Sequence, residues 1–156
     1  MAGGYPGRAV LHSPPWRQMR LAYAFLANAA EYTSDGKLWV LGGDIDTFTF
    51  DDFPATVPAL SFVAKVLFEP AECGAAYRLG IDILRPDGES LNPSQIVYEL
   101  RPEVRVEQPD RPVGAAMVLN IQGLSLPEPG DYRFVIRVDD EEMGLLPVRV
   151  LQRQAQ

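Results

Sequence analysis

Along much of the chain apolar residues recur at every second position, in stretches bounded by glycine, proline and aspartate. Tyr77, Leu79, Ile81 and Ile83 alternate with Arg78, Gly80 and Asp82. Tyr132, Phe134, Ile136 and Val138 alternate with Arg133, Val135 and Arg137, and Leu146, Val148 and Val150 with Pro147, Arg149 and Leu151. A side chain aimed inward at every second residue is the mark of a half-buried strand. Leu60, Phe62, Ala64, Val66 and Phe68 share one face of a further strand, and Met117, Leu119 and Ile121 mark another. Ile96, Tyr98 and Leu100 begin one that continues through Val104 and Val106, past Pro102, a residue that fits an edge strand or a bulge.

Two segments are less periodic. Leu21–Ala30 is a nearly unbroken apolar run, which by itself leaves a buried strand and a helix both open. The Asp35-Gly36 pair that follows is a hairpin signal and favours the strand. Leu38–Phe50, rich in β-branched and aromatic residues, supplies the returning strand. Its Gly42-Gly43 pair reads as a bulge or bend, because no strand, glycine loop and helix with a lysine surround it. Pro86-Asp87-Gly88 and Pro127-Glu128-Pro129-Gly130 close strands with turn chemistry. About eight strands without an amphipathic helix predict an all-β fold. The expected architecture is an antiparallel two-sheet immunoglobulin-like sandwich, in which each strand buries one face.

The order of features resembles an uncharacterised family of small bacterial β-sandwich proteins. The likeness is carried by Leu21–Asn28, by Asp35-Gly36-Lys37-Leu38, and by Gly42-Gly43 ahead of Phe53-Pro54. The Pro86-Asp87-Gly88 turn belongs to it too, as does a closing hairpin from Pro129-Gly130-Asp131-Tyr132-Arg133-Phe134 to Pro147-Val148-Arg149-Val150. It spans most of residues 19–151. The resemblance implies the sandwich fold and brings no activity or ligand with it.

Met1 to Gln18 look different, with Pro6, Pro14 and Pro15 and no apolar period. The expected organisation is therefore a flexible N-terminal extension, residues 1–18, followed by a single domain, residues 19–153. A chain of 156 residues with 47% hydrophobic positions can bury a sizeable core. Its net charge of −7 repels phosphate backbones, so no nucleic-acid partner is expected. Cys73 is the only cysteine, which rules out an internal disulfide framework. No run of 18 apolar residues or signal-peptide core is present, so no membrane insertion and a cytoplasmic location are expected.

Candidate chemistry is sparse. His12, the only histidine, lies in the proline-rich extension, where no scaffold would hold it beside a nucleophile. Cys73 follows Glu72, whose charge would raise a thiol pKa, and the chain lacks the Cys and His set that zinc requires. No cofactor is expected. Asp44 and Asp46 would share a strand face, and with Asp139 and Asp140 they make a candidate calcium site at the loop ends. Paired carboxylates also serve glycoside hydrolysis, but sugar sites need exposed aromatics. Phe62, Phe68, Tyr77, Tyr98, Tyr132 and Phe134 read as core. Trp39 and Tyr32, beside the first hairpin, are the better candidates for an aromatic contact, with burial still the expected state.

Arg133, Arg137 and Arg149 form the least ordinary polar group. If the last two strands pair, all three share a face that can receive a carboxylate-bearing segment. The competing state is a solvated face balanced by the domain's own acids. The sequence thus points to a non-catalytic interaction or structural module that binds a protein partner through a sheet face or edge. Association of identical copies through an unprotected edge strand belongs to the same expectation. The alternative is a small-ligand binder, for calcium or carbohydrate, at the acidic loop ends.

Overall fold

Most of the periodic segments are strands, and most residues predicted to face inward do so. In the computed structural model, which describes residues 10–11, 18–92 and 96–154, Leu79, Ile81, Tyr132, Phe134, Ile136, Val138 and Leu146 are at most 2% exposed. The strands are Val10–Leu11 (β1), Arg20–Tyr32 (β2), Leu38–Gly43 (β3), Thr47–Phe50 (β4) and Ala55–Phe68 (β5). After a 3-10 turn at Pro70–Glu72 come Tyr77–Leu84 (β6), Ile96–Leu100 (β7), Val113–Leu126 (β8), Gly130–Val138 (β9) and Glu141–Gln152 (β10).

These strands make two sheets. The larger has the order β7-β6-β9-β10, and β1 and β4 share the other edge of β10. The smaller runs β3-β2-β5-β8. One apolar core lies between them: Leu26, Phe62, Ala64 and Val66 of the smaller sheet join Ile81, Phe134, Ile136 and Leu146 of the larger. The rings of Phe62 and Phe134 stack across this core at 5.5 Å. Each fully buried side chain of this size contributes roughly 1.5–3 kcal/mol.

Three features depart from the sequence expectation. Leu38–Phe50 is two strands in different sheets. Gly42 adopts φ +63 and Asp44 φ +62, and this corner carries the chain from β3 to β4. Second, β4 runs parallel to β10, so the sheets are not wholly antiparallel. Third, the strand at Ile96 stops at Leu100. Pro102 cannot donate to a ladder, and Val104 and Val106 lie beyond it in a loop, 38% and 91% exposed. With β1 added, the expected eight strands become ten among the described residues.

Most of the predicted extension, His12 included, lies outside the described residues; Val10–Leu11 within it pair with Gly144 and Leu145 of β10. Met19 is buried, and its N–H donates to a Glu72 carboxylate oxygen at 3.1 Å. No described helix is long and apolar enough to cross a membrane.

Candidate functional site

The arginines predicted to share a face do share one. In the β9–β10 ladder Arg133 lies opposite Pro147, Arg137 opposite Glu142, and Arg149 opposite Asp131. Opposed residues of an antiparallel pair point the same way, here away from the core. The face is already balanced from within, however. Arg137 reaches Asp82 of β6 at 3.5 Å, and Arg149 reaches Asp131 at 3.1 Å. Arg133 makes no ion pair among the described residues. The recess beside Arg137, lined by Arg78, Gly80, Val97 and Asp140, holds about 10 Å³, which is one water at most.

The four aspartates of the candidate calcium site are not brought together. Asp46 lies beside Arg149, whose N–H donates to its carbonyl at 2.9 Å. Asp139 and Asp140 form the tight β9–β10 turn at the opposite end of β10. Eight strand positions separate the two places, roughly 25 Å. The predicted grouping of Asp44 and Asp46 with Asp139 and Asp140 is therefore corrected. The local residues explain what the acids do instead. Asp139 and Asp140 both have positive φ, as a two-residue type I′ hairpin requires, and Asp139 Oδ1 accepts from the Arg78 N–H at 2.9 Å. Among the described residues no three metal-binding side chains cluster.

Cys73 is half-buried, its Sγ 3.6 Å from the Glu69 carbonyl oxygen. Burial first and the neighbouring Glu72 second push its thiol pKa up, away from the reactive thiolate.

A surface of which the sequence singled out only Trp39, with burial as its expected state, stands at the β2–β3 hairpin. Trp39 is 60% exposed, Val40 42% and Leu41 70%. The other large apolar residues this exposed are scattered: Val104 and Val106 in a loop and Leu151 at the end of β10. Among the described residues only here are three consecutive. Glu31 lies opposite Trp39 and Ala29 opposite Leu41, so these four share one surface. Together with Ala30 and Val40 they line an open groove of about 390 Å³.

The local sequence builds this surface by bending β2. Tyr23 and Tyr32 are nine residues apart, about 30 Å along a straight strand, yet their hydroxyls hydrogen-bond at 2.8 Å. Burial first and this bond second raise the Tyr23 pKa, so the phenol stays protonated. The Ala30 N–H donates to Ser61 Oγ at 3.2 Å, and Ser61 Oγ donates to Asn120 Oδ1 at 2.7 Å. The hairpin thus curls over the far face of the smaller sheet, where Ala27 and Val63 are fully buried outside the main core. Gly43 permits the close approach: a Cβ there would sit 2.9 Å from Val40 Cγ1. Trp39 and Leu41 are left pointing outward.

Topology leaves the strand bare as well. β3 is the edge of its sheet, bonded to β2 on one side, and no other described segment bonds to its outer side. The remaining edges are short or polar, β4 being only four residues long. β7 is five residues long and ends near Pro102, while β1 and β4 occupy the free edge of β10. The exposed positions of β8 are Gly114, Asn120, Gln122, Gly123 and Ser125, all small or polar. β3 reads Leu-Trp-Val-Leu-Gly-Gly, without a charge or proline to discourage pairing.

Solved structures with a similar course share very little sequence. The Pseudomonas fluorescens alkylpurine DNA glycosylase AlkC bound to DNA containing an abasic site analog is 8% identical, with a TM-score of 0.43 over 86% of this chain and 30% of that one. The Listeria innocua beta-glucosidase in complex with isofagomine is 7% identical, with a TM-score of 0.44 over 90% and 17%. The C-terminal domain of wzt is 16% identical, with a TM-score of 0.44 over 96% and 84%. The chain thus spans less than a third of the first two proteins. No curated protein sequence matches it. A family model matches residues 22–151, and the chain belongs to that family, the family of unknown function DUF6941.

Proposed function

We propose that this domain is a non-catalytic interaction module that recognises a protein through the open β3 edge. The observation that carries this reading is the run Trp39-Val40-Leu41, exposed on an edge strand whose outer side has no bonding partner among the described residues. An edge of this kind offers backbone donors and acceptors for an added strand, and its side chains supply the apolar contact. Trp is also among the residues that most often anchor protein interfaces. A protein fits better than a nucleic acid, because Arg137 and Arg149 are engaged by Asp82 and Asp131 and the chain carries a net −7.

The scaffold reading is an immunoglobulin-like sandwich. Its support is the shared core of the two sheets and a tyrosine corner: the Tyr132 hydroxyl donates to the Glu128 carbonyl at 2.6 Å, just before β9. The single free cysteine suits a reducing compartment such as the cytoplasm.

The test is capture of partners from the source cells by the wild-type chain, by Leu41→Lys and by Arg137→Glu. Leu41→Lys should lose the bound protein while Arg137→Glu keeps it. Loss with Arg137→Glu alone would transfer the interaction to the arginine face and reject β3.

A further inference from the structure

We infer that the occupant of the β3 edge is a second copy of this chain, paired antiparallel with Val40 opposite Val40. This rests on the reading of β3 as a recognition edge and adds the identity of what it recognises. In a two-fold antiparallel pair, opposed side chains lie on the same face, so the allowed registers are those in which one residue meets itself. Centring on Val40 sets Trp39 of each copy against Leu41 of the other. The two most exposed apolar residues of the strand, 60% and 70% exposed, then cover one another twice. Such aromatic and aliphatic cross-strand pairs stabilise sheets. Centring on Trp39 would put Leu41 opposite Lys37, and centring on Leu41 would put Trp39 opposite Gly43. The sequence therefore matches itself in one register only.

Charge favours the same arrangement. Leu38–Gly43 holds no ionisable residue, and the strand is bounded by Lys37 before it and Asp44 after it. Antiparallel pairing brings the Lys37 end of one copy to the Asp44 end of the other, at both ends of the new ladder. Two acidic molecules thus meet along a strand with no charge of its own, with Glu31 beside it and with Asp44 and Lys37, the latter already 3.7 Å from Asp35, at its ends. The three exposed side chains offer on the order of 350 Å² per copy, and the flanking Ala29 and Glu31 bring the total for both copies to about 1,000 Å². That is the lower end of specific interfaces, so the pair forms by mass action at micromolar concentration or above.

Sedimentation equilibrium of the full chain across a wide concentration range reads the association. The wild type should move from monomer towards dimer, and Trp39→Lys and Leu41→Glu should each weaken this at least tenfold. An equal mixture of the two variants should regain dimer. One contact then sets the introduced lysine against the introduced glutamate, and the other keeps Trp39 against Leu41. A wild type that stays monomeric throughout, or a mixture that gains nothing, overturns the self-pairing. If the wild type is monomeric but Leu41→Lys still loses a captured protein, the edge is a recognition surface for another chain and only the present inference fails. If a variant does not fold, amide exchange of the wild type decides instead. Exchange over 38–43 that slows as concentration rises supports the pair, and concentration-independent exchange overturns it.

Discussion

Two hairpins of this molecule solve the same local problem in opposite ways. β9–β10 turns in two residues, Asp139 and Asp140, and lies inside its sheet with β6 on one side and β1 and β4 on the other. Neighbouring strands cover parts of both its sides, and two of its three outward arginines, Arg137 and Arg149, meet Asp82 and Asp131. β2–β3 turns through the longer Thr33–Lys37 loop, leaves its sheet by bending at β2, and ends in a bare edge with Trp39 and Leu41 outward. One hairpin is closed to further association and the other is open. The difference shows that exposure, pairing and charge have to be read together. The charged face looks reactive in sequence but two of its three arginines are engaged from within, whereas the uncharged strand is bare among the described residues.

Ways to break this contrast begin with the largest. Ile136→Ala in β9 should cost about 2–5 kcal/mol of folding stability, because a fully buried side chain is replaced by a cavity. Trp39→Ala in β3 should change stability by about 0.5 kcal/mol or less, since most of that ring already faces water. Denaturant titration of both variants checks the pair of values, and a comparable loss from Trp39→Ala would mean that the β3 surface is structural. Next is Tyr132→Phe, which removes the bond to the Glu128 carbonyl at the entrance to β9. An expected loss of about 1–2 kcal/mol in the same measurement would show how firmly the closed hairpin is anchored.

The smallest effect sits in the open hairpin's loop. The Thr33 hydroxyl donates to the Asp35 carboxylate, and this bond holds the Asp35 pKa below the ordinary carboxylate range. A lowered folded pKa stabilises the loop above the ordinary aspartate value, and that contribution fades as pH falls through the lowered one. NMR titration should therefore find Asp35 titrating low in the wild type and higher in Thr33→Val, where the contacts to Lys37 remain. An unchanged titration in the variant would remove the hydroxyl as the cause.

Much of the fold was legible because burial imposes a period of two. Ile81, Phe134 and Val148 declare their inward side by alternating with polar or small neighbours. β3 gave no such sign. Leu38-Trp39-Val40-Leu41 is apolar on both faces, which in sequence looks the same as a strand buried on both sides. Which of the two it is depends on its neighbours in space, and those are set by the bend in β2 and the Gly42 corner. For the same reason Trp39 was expected to be buried. The candidate calcium ligands depend on topology too: Asp46 lies by the Arg149 end of β10 and Asp139 and Asp140 by its Glu141 end, a separation that sequence spacing does not show. The arginine face was recognised correctly as a face, since register follows from the hairpin; Asp82, which engages Arg137, comes from a strand more than fifty residues away in sequence.

The most direct test of the open-edge account is hydrogen exchange resolved by segment, compared between the free chain and the chain in its associated state. Protection should appear across Leu38–Gly43 and leave the outward positions of β9 and β10 unchanged. Protection of the segment holding Arg133 and Arg137, with β3 exchanging as fast as before, would contradict it.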